Sequence, residues 1–119
     1  MHPKIENTEL LDTIQFLKTK ARENKAAIWT TVAEQLSRSR KNRAVLSLTH
    51  ITRSTEQDAA VLVPGKVLGD GIIKHPITIG AFEFSREAEE KIKRAGGRCV
   101  TIKEFITLYP NGSNVKIMR

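Results

Sequence analysis

The segment Val63-Pro64-Gly65-Lys66-Val67-Leu68-Gly69-Asp70-Gly71 places glycines around a lysine directly after an apolar run, the composition of a loop that could cradle phosphate. Nucleotide hydrolysis does not follow. A P-loop lysine is succeeded by serine or threonine at the start of a helix, whereas Lys66 is succeeded by Val67 and further turn residues. Two uses of the glycines stay open. Gly65, Gly69 and Gly71 can let the backbone approach an RNA strand while Lys66 meets a phosphate. Alternatively, Pro64-Gly65 and Gly69-Asp70-Gly71 are turns that require positive φ angles.

The remaining reactive side chains form no constellation. His2, His50 and His75 are scattered, with no second histidine at helical spacing and no acidic neighbours that would make a metal or general-base site. His75, beside Lys74 in a turn, can add a phosphate contact or simply be solvated. Asp70 is the only acid between Asp58 and Glu83, and an aspartate in a glycine turn commonly bonds its own backbone. Cys99 is the only cysteine, so an intrachain disulfide and a cysteine-cluster zinc site are excluded and a reducing compartment is expected. Within an apolar run it reads as a small core residue, not a nucleophile. No catalytic residue, metal, cofactor or small-molecule substrate is expected.

Charge is the strongest signal. Twenty lysines and arginines stand against 13 acids, a net +7, so polyanions are the expected partners. The excess is local. Gln35 to Thr55 holds Arg38, Arg40, Lys41, Arg43 and Arg53 and no carboxylate, and Lys91 to Lys103 holds Lys91, Lys93, Arg94, Arg98 and Lys103 and no carboxylate. The run Ser37-Arg38-Ser39-Arg40-Lys41-Asn42-Arg43 contains nothing that could be buried without unpaired charge, so it is an exposed loop. Its guanidinium forks suit phosphate oxygens. A merely solvated charge run is the alternative, but such runs usually mix signs, and this one does not. The residues expected at RNA are Arg38, Arg40, Lys41, Arg43, Arg53, Gly65, Lys66, Gly69, Lys74, His75, Lys93, Arg94, Arg98 and Lys116.

These residues must be positioned by a mixed α/β chain of 119 residues, long enough for a single domain with one modest core. Leu10, Ile14, Leu17 and Ala21 recur at helical spacing over 8–22, and Ile28, Trp29, Val32 and Leu36 over 26–36, which predicts a helical hairpin turning at Glu23-Asn24-Lys25. Beyond the basic loop, Ala60 to Val63 and Ile77 to Phe84 read as strands, with Phe82 and Phe84 facing the same way by alternation. Ser85 caps a helix running to Ala95 and stopped by Gly96-Gly97. Arg98 to Val100 is a short strand, Thr101-Ile102-Lys103-Glu104 a capping box opening a helix closed by Pro110-Asn111-Gly112, and Val115 to Met118 a last strand. The helix-then-strand unit recurs after residue 84, and Leu46 to Val63 is a looser copy of it. Trp29 is expected in the core, and Tyr109 either packs on the last strand or stacks on a base.

Several segments, in order, resemble one family: Ile28-Trp29 and Val32-Ala33, then Val63-Pro64-Gly65-Lys66-Val67-Leu68-Gly69, then Phe84-Ser85 with Ala88 and Glu90-Lys91-Ile92, then Ala95-Gly96-Gly97. The chain resembles the archaeal and eukaryotic large-subunit ribosomal protein called eighteen-e, a relative of bacterial ribosomal protein fifteen of that subunit, over most of its length, with an archaeal-type compactness. Ser47 and Tyr109-Pro110-Asn111-Gly112 depart from the family's common residues. The resemblance implies an α/β domain, a short irregular superhelix of strand-strand-helix turns. It would comprise residues 1–119, with a helical extension over 1–36, the basic loop 37–43 and a mixed core over 44–119. It implies a ribonucleoprotein component of translation that cross-braces ribosomal RNA beside neighbouring ribosomal proteins, with no catalysis. No apolar run approaches the roughly 20 residues of a membrane span, and the start Met1 to Asn7 lacks a signal-peptide core, so a cytoplasmic location in the ribosome is expected. A free nucleic-acid chaperone and an enzyme built on the glycine segment are the competing readings. The chaperone would bind nucleic acids indiscriminately; the enzyme would need an acid, base or metal set.

Overall fold

A computed structural model describes residues 4–119; Met1, His2 and Pro3 lie outside the described residues, and so does the expectation for His2. Helix α1 (Lys4–Glu23) and helix α2 (Ala27–Leu36) form the expected hairpin. Asn24, Lys25 and Ala26 join them, with Lys25 in the left-handed region at φ 52°. After a 3-10 turn (Arg40–Asn42) come β1 (Ala44–Ser47), α3 (Leu48–Arg53), β2 (Ala59–Leu68), β3 (Ile77–Phe84), α4 (Arg86–Arg94), β4 (Arg98–Val100), α5 (Ile102–Leu108) and β5 (Val115–Ile117). Local signals end the helices where they stand. Ser85 Oγ accepts from Ala88 N at 3.1 Å, and Thr101 and Glu104 form a reciprocal capping box of 2.8 and 3.1 Å. Gly96, at φ 87°, stops α4.

All five strands are parallel, in the order β1-β2-β3-β4, and β5 shares with β1 the other edge of β2. Strand β5 pairs with Ala60 to Leu62 and β1 with Gly65 to Leu68. The change of neighbour explains a proline inside a strand. Pro64 lies between those two paired stretches and at the register shift between Val63 and Lys66, where an N–H is not needed. Residues 63–68, two-thirds of the sequence's 63–71 glycine segment, are therefore strand, and Gly65 needs no turn. The same shift corrects the expectation for the phenylalanines. Phe82 packs on one side of the sheet and Phe84 on the other, so the alternation of β3 is interrupted opposite that shift, where Phe84 pairs with Val67 and joins its side of the sheet.

The sheet is covered on both faces. Ala60 and Leu62 join Leu17, Trp29, Val32, Leu36, Phe105 and Ile106 under α1, α2 and α5. Val61, Val63 and Val67 join Leu48, Ile51, Ile79, Ala88 and Ile92 under α3 and α4. The hairpin is thus one layer of the core. Trp29 is fully buried, its Nε1 donating to Pro110 O at 2.9 Å and its ring edge-on to Phe105. The Tyr109 ring lies 4.8 Å from that of the same Phe105, tilted by 44°, and so packs inward.

The units β1-α3-β2, β3-α4-β4 and β4-α5-β5 repeat strand and helix, but β2 reaches β3 without a helix. Ile77 pairs with Ala59, so segment 69–76 must retrace β2. It makes this return in eight residues, with bends at Gly71 and His75. It crosses the α3 and α4 face with Ile73 turned into the core.

Candidate nucleic-acid interface

The basic loop is ordered by its own small residues. Asn42 N donates to Ser39 O at 2.9 Å and Asn42 Nδ2 to Ser39 Oγ at 3.0 Å, a 3-10 turn that leaves Arg38, Arg40 and Lys41 exposed. The loop feeds β1, and Ala44 is in register with Gly65, so the loop is delivered beside the second half of β2. There Arg40, Arg43 and Lys66 line a cleft of about 120 Å³ together with Glu83, the β3 residue that faces Lys66 across the ladder. Three cations thus share one cleft with a single carboxylate. Arg43 is half-buried, and its Nε is buried without a hydrogen-bond partner.

A second group gathers where strands begin and helices end. Arg53 closes α3, Lys93 and Arg94 close α4, Lys74 and His75 precede β3, and Arg98 opens β4. Asp58 N donates to Pro76 O at 2.8 Å, tying the approach to β2 to that of β3. Lys116 Nζ donates to Ser54 O at 2.7 Å, tying β5 to the end of α3. Except for half-buried His75, these side chains are exposed, and the cations at the helix C-termini also offset the negative dipole ends there. His75 Nε2 lies 3.1 Å from Thr55 Oγ1, whose own proton goes to Ile51 O at 2.7 Å, so Nε2 is the donor.

Folding divides what the sequence runs together. Within the acid-free stretch 91–103, Lys91 turns inward and Lys103 sits on the opposite side of the sheet, 5.6 Å from the Phe16 ring. Lys91 Nζ donates to Gly69 O and Gly71 O, both at 2.8 Å, and meets Glu87 Oε2 at 3.3 Å. It acts as an internal clamp on the crossing. The glycines are likewise used by the chain itself. Gly65 is buried where an added Cβ would stand 2.0 Å from Ala44 O, and Gly69 is buried against Glu87 and Ala88. Only Gly71, at φ 95°, occupies the turn conformation expected of the segment. Sequence reasoning missed the Lys91 clamp, because its partners lie 20 and 22 residues away and no local pattern announces them. Among the described residues, no helix is long and apolar enough to cross a membrane.

The family model for "Ribosomal protein 60S L18 and 50S L18e" matches residues 2–119. The chain belongs to this family. Among curated members, the L18e-family chain described here is 43% identical over 117 residues to the large ribosomal subunit protein eL18 of Methanopyrus kandleri, covering 94% of this chain and 92% of the relative. It is 41% identical over 112 residues to that of Methanothermobacter thermautotrophicus, covering 94% and 93%. With that of Haloarcula marismortui it shares 39% over 113 residues, covering 95% and 97%. The family read from the tryptophan, glycine and helix-stop segments is thus the one whose model matches residues 2–119. In this L18e-family fold those segments are the buried hairpin face, the β1-β2 contact and the end of α4.

Proposed function

We propose that this chain is an architectural protein of the large ribosomal subunit, cross-bracing ribosomal RNA and lying beside other ribosomal proteins, without catalytic activity and in the cytoplasm. The observation that carries this reading is the exposed, acid-free loop Arg38 to Arg43, held against β2 of an L18e-family domain. Arg38, Arg40, Lys41, Arg43 and Lys66 form one contact with RNA phosphates. Arg53, Lys74, His75, Lys93, Arg94, Arg98 and Lys116 form a second at the strand-start end of the sheet. Two separated basic surfaces on a rigid domain can hold two mutually repelling RNA segments, each cation displacing condensed counterions as it binds. Gly65 and Gly69 leave the contact set, because both are buried against the chain itself.

Sucrose-gradient fractionation of native cell extract, with this protein followed by mass spectrometry through washes of rising salt, tests the reading. Retention in the large-subunit peak through moderate salt is expected. Release to the soluble fractions at low salt would replace it with a free nucleic-acid chaperone.

A further inference from the structure

Phosphate contacts leave Ile72 unexplained. It is 69% exposed, the most open of the large apolar side chains among the described residues, while its neighbour Ile73 is buried. The 69–76 crossing is pinned from two helices. Thr49 N donates to Asp70 O at 3.2 Å, Thr52 Oγ1 to Ile72 O at 3.1 Å, and Lys91 holds the carbonyls of Gly69 and Gly71. With Ile73 taking the inward position, residue 72 points outward, but any polar residue would satisfy that position. An isoleucine held rigidly in water, at a site stabilised by three separate anchors, is a preformed apolar contact.

Beside it lies a cleft of about 260 Å³ lined by Gly71, Ile72, Ile73, Lys91, Arg94 and Ala95. None of these is acidic. The cleft is smaller than the ~300–1,000 Å³ of ordinary small-molecule sites, yet it combines an apolar floor with an exposed guanidinium. We propose that it takes one unpaired nucleotide of the bound RNA, the base seated on Ile72 and Ala95 and covered by the Arg94 guanidinium. Unpaired bases stack on aromatic rings or on the plane of an arginine guanidinium, and here Arg94 offers that plane while Ile72 and Ala95 offer the apolar contact beneath. A protein neighbour fits less well, because one isoleucine and one alanine offer little of the ~800 Å² that a stable protein interface buries on each partner. The assignment rests on the ribosomal reading above and adds to it a base contact.

The test uses the full chain and large-subunit ribosomal RNA transcribed in vitro, with base-reactivity footprints and affinities compared for wild type, Ile72→Ala and Arg94→Lys. Wild type protects an unpaired base. Ile72→Ala removes apolar contact with that base, exposes it and weakens binding roughly tenfold, with an unchanged dependence on salt, since no phosphate contact is lost. Arg94→Lys keeps the charge but not the plane, and loses part of the same protection. Both positions are on the surface, and thermal melts will report the fold intact. An Ile72→Ala footprint identical to wild type overturns the base contact alone. Failure of the wild-type chain to bind this RNA overturns both it and the ribosomal reading. A photo-crosslinker at position 72 that joins only protein in assembled subunits replaces the nucleotide with a protein neighbour.

Discussion

Replacing Gly65 with alanine distinguishes a glycine that serves RNA from one that serves the fold. Gly65 faces Ala44 in the β1-β2 ladder, and its added Cβ would stand 2.0 Å from Ala44 O and 2.8 Å from Ala44 C, both backbone atoms. Real Cβ atoms essentially never approach closer than 3.0 Å, so β1 must retreat by about an ångström, and the Arg43 end of the basic loop with it. Overpacking of this kind costs ~1–3 kcal/mol, and loosened ladder bonds cost about 1 kcal/mol more, for a loss of about 3 kcal/mol. An unfolding entropy of ~2.1 cal/mol/K per residue gives about 0.25 kcal/mol/K for this chain, so the melting temperature falls by about 12 °C. Far-ultraviolet circular dichroism melts and urea titration measure this, the urea midpoint falling with an unchanged slope. A Gly65→Ala variant with the wild-type melting temperature would refute the packing argument. If its RNA affinity were reduced as well, Gly65 would return to the RNA contact set.

Converting Arg38, Arg40, Lys41 and Arg43 together to glutamine should weaken binding to large-subunit RNA and flatten the slope of log affinity against log salt by up to about 3 units. Its circular dichroism spectrum should be unchanged; an unaltered slope or a collapsed spectrum would count against the loop as a phosphate contact. Lys91→Met removes two charge-assisted hydrogen bonds to carbonyls, and with the side chain 28% exposed, water replaces part of the loss. A destabilisation of about 2 kcal/mol is expected, with faster amide exchange at Thr49, and wild-type exchange there would show that the crossing is held by other means. The Cys99 thiol is pushed up to about 11, first by burial and then by Glu89, with Lys93 opposing. Alkylation should therefore be slow at pH 8 and accelerate toward pH 11. Because the folded value lies above the ordinary 9.0, the thiol's contribution to stability is complete below pH 9 and is lost as pH rises from 9 to 11. A thiol that alkylates at pH 8 as fast as a free cysteine would contradict this burial.

Signals confined to one turn of chain were legible directly. The Ser85 cap, the Thr101-Glu104 box, the Gly96 stop and the hairpin stripe around Trp29 depend on spacings of three or four residues, and each stands where spacing puts it. The basic loop was legible for the same reason, since residues that resist burial are left at the surface; residues 37–42 are exposed, and only Arg43, where the loop enters β1, is half-buried. The family pattern was also readable as ordered short segments. Segment 63–71 was misread in part because its glycines were judged by their own conformation. Gly65 is required by Ala44, 21 positions earlier in the chain and adjacent only after β1 pairs with β2.

Tertiary structure alone decided which cations share a surface. Arg43 and Lys66 meet because parallel pairing sets β1 beside the far half of β2, while Lys91 and Lys103, members of one acid-free run, part to opposite faces of the sheet. Composition determines that this chain seeks a polyanion, since net charge does not depend on how the chain folds. Which side chains present that charge, which are used internally as Lys91 is, and that Ile72 stands in water beside Arg94 follow from long-range strand pairing, whose partners are set by the packing of the whole sheet.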